Sequence, residues 1–171
     1  MGEKQRLISR RFSYEGIFNY REFFRIYDSW LREKFYDKYE GRTEQYDDER
    51  GMHINTEFIP WKKVTDYHKY ILKMEIAGAD IKEVEVVKEG KKIRMHHGKL
   101  NIQITGYFVV DYPDVGLGKW NKPLHYFMRD MYDKYIYWRM TKKYMALLVE
   151  HTNDLSHVLK SYLNMGQYRL S

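Results

Sequence analysis

Residues 98–112 read Gly-Lys-Leu-Asn-Ile-Gln-Ile-Thr-Gly-Tyr-Phe-Val-Val-Asp-Tyr. Leu100, Ile102, Ile104, Gly106, Phe108 and Val110 alternate with Asn101, Gln103 and Thr105. A strand turns successive side chains to opposite faces, so a period of two predicts a long strand with one apolar and one wet face. Pro113, which has no N–H for a ladder, stops it. A strand wet on one side belongs in an antiparallel sheet, because parallel sheets are covered on both faces.

The same alternation recurs upstream. Met52, Ile54, Thr56 and Phe58 alternate with His53, Asn55 and Glu57, and Tyr70, Leu72, Met74 and Ile76 alternate with Ile71, Lys73 and Glu75. Val84 with Val86, and Ile93 with Met95, predict two shorter strands around Glu89-Gly90, and His97-Gly98 predicts the next tight turn. Tyr39–Asp48 reads as an acidic edge strand. Six consecutive strands on short turns make an antiparallel meander with no room for crossover helices.

Before the meander, Gln5–Ile17 reads as a further strand, ended by Gly16. Asn19 then supplies a helix N-cap, with Glu22 placed to reach back to it. Tyr20, Phe24, Tyr27, Leu31 and Phe35 follow at helical spacing, with Phe23 and Trp30 beside them, which predicts one amphipathic helix ending before Gly41. After the meander, Pro123 suits the first turn of a second helix. Its apolar stripe is Leu124, Met128, Met131, Tyr135, Trp138 and Met145, continued by Leu148, Leu155, Leu159 and Tyr162. Unbroken from Pro123 to Met165, this helix would run about 64 Å at 1.5 Å per residue, so a break is expected at Thr152-Asn153-Asp154.

Composition excludes more than it selects. The chain has 171 residues and no cysteine, so disulfides, thiolate zinc sites and iron–sulfur clusters are out. Its length fits one domain spanning 1–171, with 148–171 read as an added helical extension. Met1–Arg11 carries charge and no apolar core of a secretory signal, and no apolar run is long enough to span a membrane, so the expected location is the cytoplasm. Seven histidines lack helical ligand spacing, nucleophile elbows are absent, and Gly116-Leu117-Gly118-Lys119 falls short of a phosphate loop. No catalytic residue, metal ligand or cofactor site is assigned, and whether the chain is an enzyme is left open. The net charge is +6, with seven Lys or Arg and two Asp in residues 119–143. That segment, with its Tyr and Trp residues, permits weak binding of single-stranded nucleic acid by charge attraction and stacking.

The order strand, helix, six-strand meander, long terminal helix resembles that of the START-like, or SRPBCC, helix-grip superfamily, and residues 98–112 resemble one of its long late strands. The resemblance implies an α+β domain: a curved antiparallel sheet of about seven strands, one helix after the first, and a long C-terminal helix packed on the sheet. It also implies a wedge between sheet and helix in which a hydrophobic small molecule binds. Tyr70, Leu72, Met74, Ile102, Ile104 and Phe108 would line the sheet side, and Met131, Tyr135 and Trp138 the helix side. The competing readings are a basic nucleic-acid-binding protein and an interaction protein that forms homo-oligomers through its C-terminal helix.

Overall fold

The alternating stretch lies, from 98 to 110, in the second of two very long paired strands; Asp111, Tyr112 and the expected stop at Pro113 lie outside the described residues. In the computed structural model, residues 3–38, 40–65, 68–110 and 138–168 are described. They form β1 (Glu3–Phe18), α1 (Tyr20–Glu33), β2 (Glu40–Asp48), β3 (Gly51–Phe58), β4 (Trp61–Lys63), β5 (His68–Lys88), β6 (Lys91–Val110) and α2 (Trp138–Tyr168). One curved, wholly antiparallel sheet runs in the order β1-β6-β5-β3-β2, with the short β4 also paired to β5. The chain is therefore an α+β domain with a C-terminal helix packed on its sheet.

Among the described residues the sheet has six strands, where the sequence predicts about seven: two pairs of predicted strands merge, and the short β4 is one that alternation does not mark. The difference lies in the middle of the chain. The stretches at 70–76 and 84–86 belong to one 21-residue strand, and those at 93–95 and 100–110 to one of 20 residues. Between them, Glu89 and Gly90 both take positive φ, 51° and 76°, as a two-residue type I′ hairpin turn requires. The predicted turn at His97-Gly98 does not exist. Gly98 is inside β6, and a Cβ there would lie 2.9 Å from Ile81 Cα, so the glycine makes room for a bulge at Ala79–Lys82 in the neighbouring strand. One glycine signals either a turn or a close approach, and alternation alone does not separate them. Gly16, expected to end β1, is likewise inside it, and β1 continues to Phe18.

Asn19 caps α1 as expected, its side-chain oxygen accepting the N–H groups of Arg21 and Glu22 at 3.1 and 3.2 Å. The helix is shorter than its apolar spacing suggests. Lys34 ends it, and Phe35 turns out at φ 59° with 78% of its surface exposed. The buried face is Phe23, Tyr27, Trp30 and Leu31.

The C-terminal helix does not break at 152–154. It runs 31 residues from Trp138 to Tyr168, about 46 Å. The three residues that read as a breaker are each bonded in place. Thr152 Oγ1 donates to the Leu148 carbonyl at 2.8 Å, Asn153 Oδ1 accepts from Arg10 Nε at 2.7 Å, and Asp154 Oδ2 accepts from Trp30 Nε1 at 2.8 Å. Polar side chains that would compete with the helix locally are engaged by its own backbone or by β1 and α1. The apolar stripe Leu148, Leu155, Leu159 and Leu163 is fully buried against the sheet. α2 packs across β1 and β6, and α1 lies beside it with Phe24 and Tyr27 against Phe58 of β3. Both helices thus cover one face of the sheet, and the other face carries the polar alternates.

Candidate functional site: the sheet–helix interior

Six of the residues expected to line the sheet side come together. Tyr70 pairs across the ladder with Phe108, Leu72 with Gly106, Met74 with Ile104, and Ile76 with Ile102. Tyr70, Leu72, Met74, Ile102, Ile104 and Phe108 are all buried in one cluster with Leu148, Leu155 and Leu159 of α2. Trp138 does not join them: it is 57% exposed at the near end of α2, with Lys142 Nζ 3.5 Å from its ring centre. Met131 and Tyr135 lie outside the described residues, as do four of the seven cations of the basic segment. The other three, Arg139, Lys142 and Lys143, are exposed.

Gly106 sets how closely α2 approaches. A Cβ at this position would lie 2.7 Å from Thr152 Oγ1, 3.1 Å from Ile8 Cγ2 and 3.4 Å from Leu148 Cγ. The helix therefore rests on the β6 backbone at this point.

Among the described residues, three buried side-chain atoms have no hydrogen-bond partner: the Tyr27 hydroxyl, Thr56 Oγ1 and His96 Nδ1, of which the two hydroxyls lie on the side of the interior under α1. Tyr27 comes from α1 and packs on Phe58 at 5.5 Å between ring centres. Thr56 is two residues before Phe58 on β3, which places it on the same face of the sheet, about 7 Å along the strand. Burial raises the Tyr27 pKa well above the ordinary phenol range, with Asp28 adding to the effect, so this hydroxyl is a proton donor at every working pH. Leaving such a group unpaired costs about 1–3 kcal/mol. The sequence contains a faint signal of this pair. Thr56 is the one polar residue in the inward row Met52, Ile54, Thr56, Phe58, and Tyr27 falls in the apolar stripe of α1.

At the α2 end of the core lies an aromatic cluster that periodicity did not reveal. His151 sits against Trp30, Tyr36 and Tyr70, with ring centres 5.8–6.1 Å away. Burial pushes the Tyr36 pKa far up, so its phenol keeps the proton, and the hydroxyl is hydrogen-bonded to His151 Nδ1 at 2.9 Å. Burial first, and then the Lys62 and Lys34 charges, holds His151 below the usual histidine range, against Glu150 and Asp154. The Tyr70 hydroxyl is satisfied by the Tyr144 carbonyl at 2.7 Å. Every polar group named in this cluster has a partner, unlike the hydroxyls at Tyr27 and Thr56.

The outer face of the sheet holds an open groove of about 650 Å³ across five strands. Its charges are already engaged: Arg11 Nε donates to Gln103 at 3.0 Å, Arg42 pairs with Glu44, and Lys73 lies 3.3 and 2.9 Å from Glu57 and Glu75. Among the described residues, no three His, Asp or Glu side chains converge on a point where a metal ion would sit. No helix among them is long and apolar enough to cross a membrane.

Fold and site together define an antiparallel sheet closed on one face by two helices, with an apolar interior holding two unpaired hydroxyls. Comparison with protein-family models, with curated proteins and with solved structures gave no match.

Proposed function

We propose that this domain is a binding module that holds an apolar small molecule, bearing a hydrogen-bonding group, between the sheet and its helices. The observation that carries the reading is the pair of buried, unpaired hydroxyls at Tyr27 and Thr56 in an otherwise apolar interior. Buried polar atoms are nearly always satisfied, so an unpaired pair points to a partner that is neither backbone nor side chain. A ligand carbonyl would accept from Tyr27, and a ligand hydroxyl would serve both. Phe24, Tyr27 and Phe58 supply the aromatic wall beside it. The helix-grip resemblance points the same way, because a curved sheet closed by helices opens a wedge between them.

The test is a thermal-shift and native mass-spectrometry screen of fatty acids, sterols and aromatic acids on the purified chain, repeated on Tyr27→Phe and Thr56→Val. A ligand that binds only the native state raises Tm. Both variants remove an unsatisfied group, so each is expected to raise the stability of the ligand-free protein by about 1 kcal/mol and to reduce the ligand-induced shift. Variants that are less stable than wild type without ligand would show that the hydroxyls already have partners, such as buried water, and the reading would fail.

A further inference from the structure

The sheet ends in a step. β3 stops pairing with β5 at Met52↔Ile81, and β2 turns into β3 just beyond Asp48. β5 and β6 run on from there as a two-stranded arm to the Glu89-Gly90 turn, and β1 accompanies β6 only as far as Phe18↔His96. Among the described residues, the ends of β3 and β2 leave beside the arm a notch two strands wide. A recess of about 480 Å³ lies at the arm's base, lined by Glu49, Arg50, Asp80, Lys82, His97 and Lys99 among others.

We propose that this notch is filled by the β2–β3 hairpin of a second copy of the chain, and that the reverse contact completes a two-fold dimer with one continuous sheet. Three features support this occupant. The first is geometric. β2 and β5 are both antiparallel to β3, so they run the same way, and a two-fold axis normal to the sheet brings β2 of one copy antiparallel to the arm of the other. The edge of β5 from Lys82 to Lys88, which no described strand covers, then meets the outer edge of β2, likewise uncovered among the described residues. β2 is the last strand in the sheet order, and its residues 41–48 are all exposed. Edges of this kind pair with other chains unless something prevents it.

The second feature is charge. The hairpin, residues 40–58, carries six acids (Glu40, Glu44, Asp47, Asp48, Glu49, Glu57) and two arginines (Arg42, Arg50). The arm, residues 82–96, carries five bases (Lys82, Lys88, Lys91, Lys92, Arg94) and three acids (Glu83, Glu85, Glu89). Edge-to-edge pairing of two acidic β2 strands is disfavoured by like charge, and pairing of β2 with the basic arm is favoured. The third feature is apolar. Val84 faces Met95 and Val86 faces Ile93 across the arm, forming an apolar row on one face. Tyr46, 56% exposed on β2, offers an aromatic partner to β-branched residues on the neighbouring strand.

The experiment is mass measurement in solution by light scattering and sedimentation in the ultracentrifuge, with hydrogen exchange on the same samples. Wild type is expected to dimerise, with amides of 43–48 and 82–88 protected in the dimer and exchanging faster on dilution. Lys88→Glu with Lys91→Glu and Lys92→Glu takes the arm from +2 to −4; Glu44→Lys with Asp47→Lys and Glu49→Lys takes the hairpin from −4 to +2. Each set is expected to weaken dimerisation by tenfold or more. Mixing the two variants restores opposite charge at both contacts and is expected to restore a mixed dimer. These side chains are exposed, and a circular-dichroism melt confirms that the variants fold. A wild-type chain that stays monomeric at high micromolar concentration would overturn the proposal. So would a dimer that the hairpin variant leaves intact, or one in which neither segment is protected.

Discussion

Gly106→Ala tests whether α2 really rests on the β6 backbone. The new methyl would meet Thr152 Oγ1 at 2.7 Å and Ile8 Cγ2 at 3.1 Å, both on neighbouring elements with little room to yield. Thr152 is fully buried and its hydroxyl is tied to the Leu148 carbonyl, so it cannot rotate away without breaking that bond. Overpacking of this size costs about 1–3 kcal/mol. Replacing glycine also restricts the unfolded chain, which offsets about 0.4–1 kcal/mol where the backbone conformation suits alanine. The net expectation is a loss of about 1–2 kcal/mol, or a fall in Tm of roughly 2–8 °C for a domain of this size. Chemical denaturation gives the free energy, and the double variant with Thr152→Ala gives the cause. Thr152→Ala removes the clashing oxygen, so the two substitutions together should cost less than their sum, with a coupling of about 0.5–3 kcal/mol. A Gly106→Ala protein within about 0.5 kcal/mol of wild type, or strictly additive effects, would refute a close helix–sheet approach at this point.

Stability should also depend on pH through His151. Its folded-state pKa is held below the ordinary 6.5, so the unfolded chain takes up the proton first as pH falls. Stability is therefore level above about pH 6.5 on this account and declines as pH drops from there toward the folded value. Denaturation across pH 4.5–8 checks it: His151→Gln, which keeps a hydrogen-bonding partner for Tyr36 and removes the titration, should make the acid limb shallower, leaving the contribution of His68, lowered by burial in the same direction. Single-stranded RNA is expected to bind weakly through the basic segment. By fluorescence anisotropy, binding should collapse as salt rises to about 150 mM and weaken further in Arg139→Glu with Lys142→Glu; sub-micromolar binding that survives that salt would favour a nucleic-acid function.

Much of the sheet was legible because burial on one face imposes a period of two. Leu100, Ile102, Ile104 and Phe108 announce their strand in that way, and the paired row at Tyr70, Leu72, Met74 and Ile76 does the same. The strand count failed where periodicity could not see geometry. The bulge at Ala79–Lys82 breaks the alternation in β5 and makes one strand read as two. Gly98 then reads as a turn, although its role is to leave space for Ile81. The helix break at Thr152-Asn153-Asp154 was misread for a related reason. Local propensity describes three residues that would end an isolated helix, whereas Thr152 bonds back to the Leu148 carbonyl of its own helix, and Arg10 and Trp30 supply Asn153 and Asp154 with bonds that only the folded chain provides.

The candidate site was legible only as a surface. The inward rows of β5 and β6 follow from alternation, but alternation does not say whether facing side chains close the gap between sheet and helix. That depends on how near the helix comes, and Gly106 fixes the distance through an atom that is missing. The unpaired hydroxyls are less visible still. A threonine in an apolar row and a tyrosine in an apolar stripe are each ordinary, because most such hydroxyls find a carbonyl nearby. Tyr36 finds His151, Tyr70 finds the Tyr144 carbonyl, and Thr152 finds that of Leu148. Tyr27 and Thr56 find none, although they share one side of the core under α1. Three hydroxyl-bearing residues satisfied by the same core make a general packing failure an inadequate account of the two that are not. What distinguishes Tyr27 and Thr56 is position: both face the side of the interior closed by α1 and Phe58. A ligand bound between sheet and helices would meet its hydrogen-bonding groups at that side.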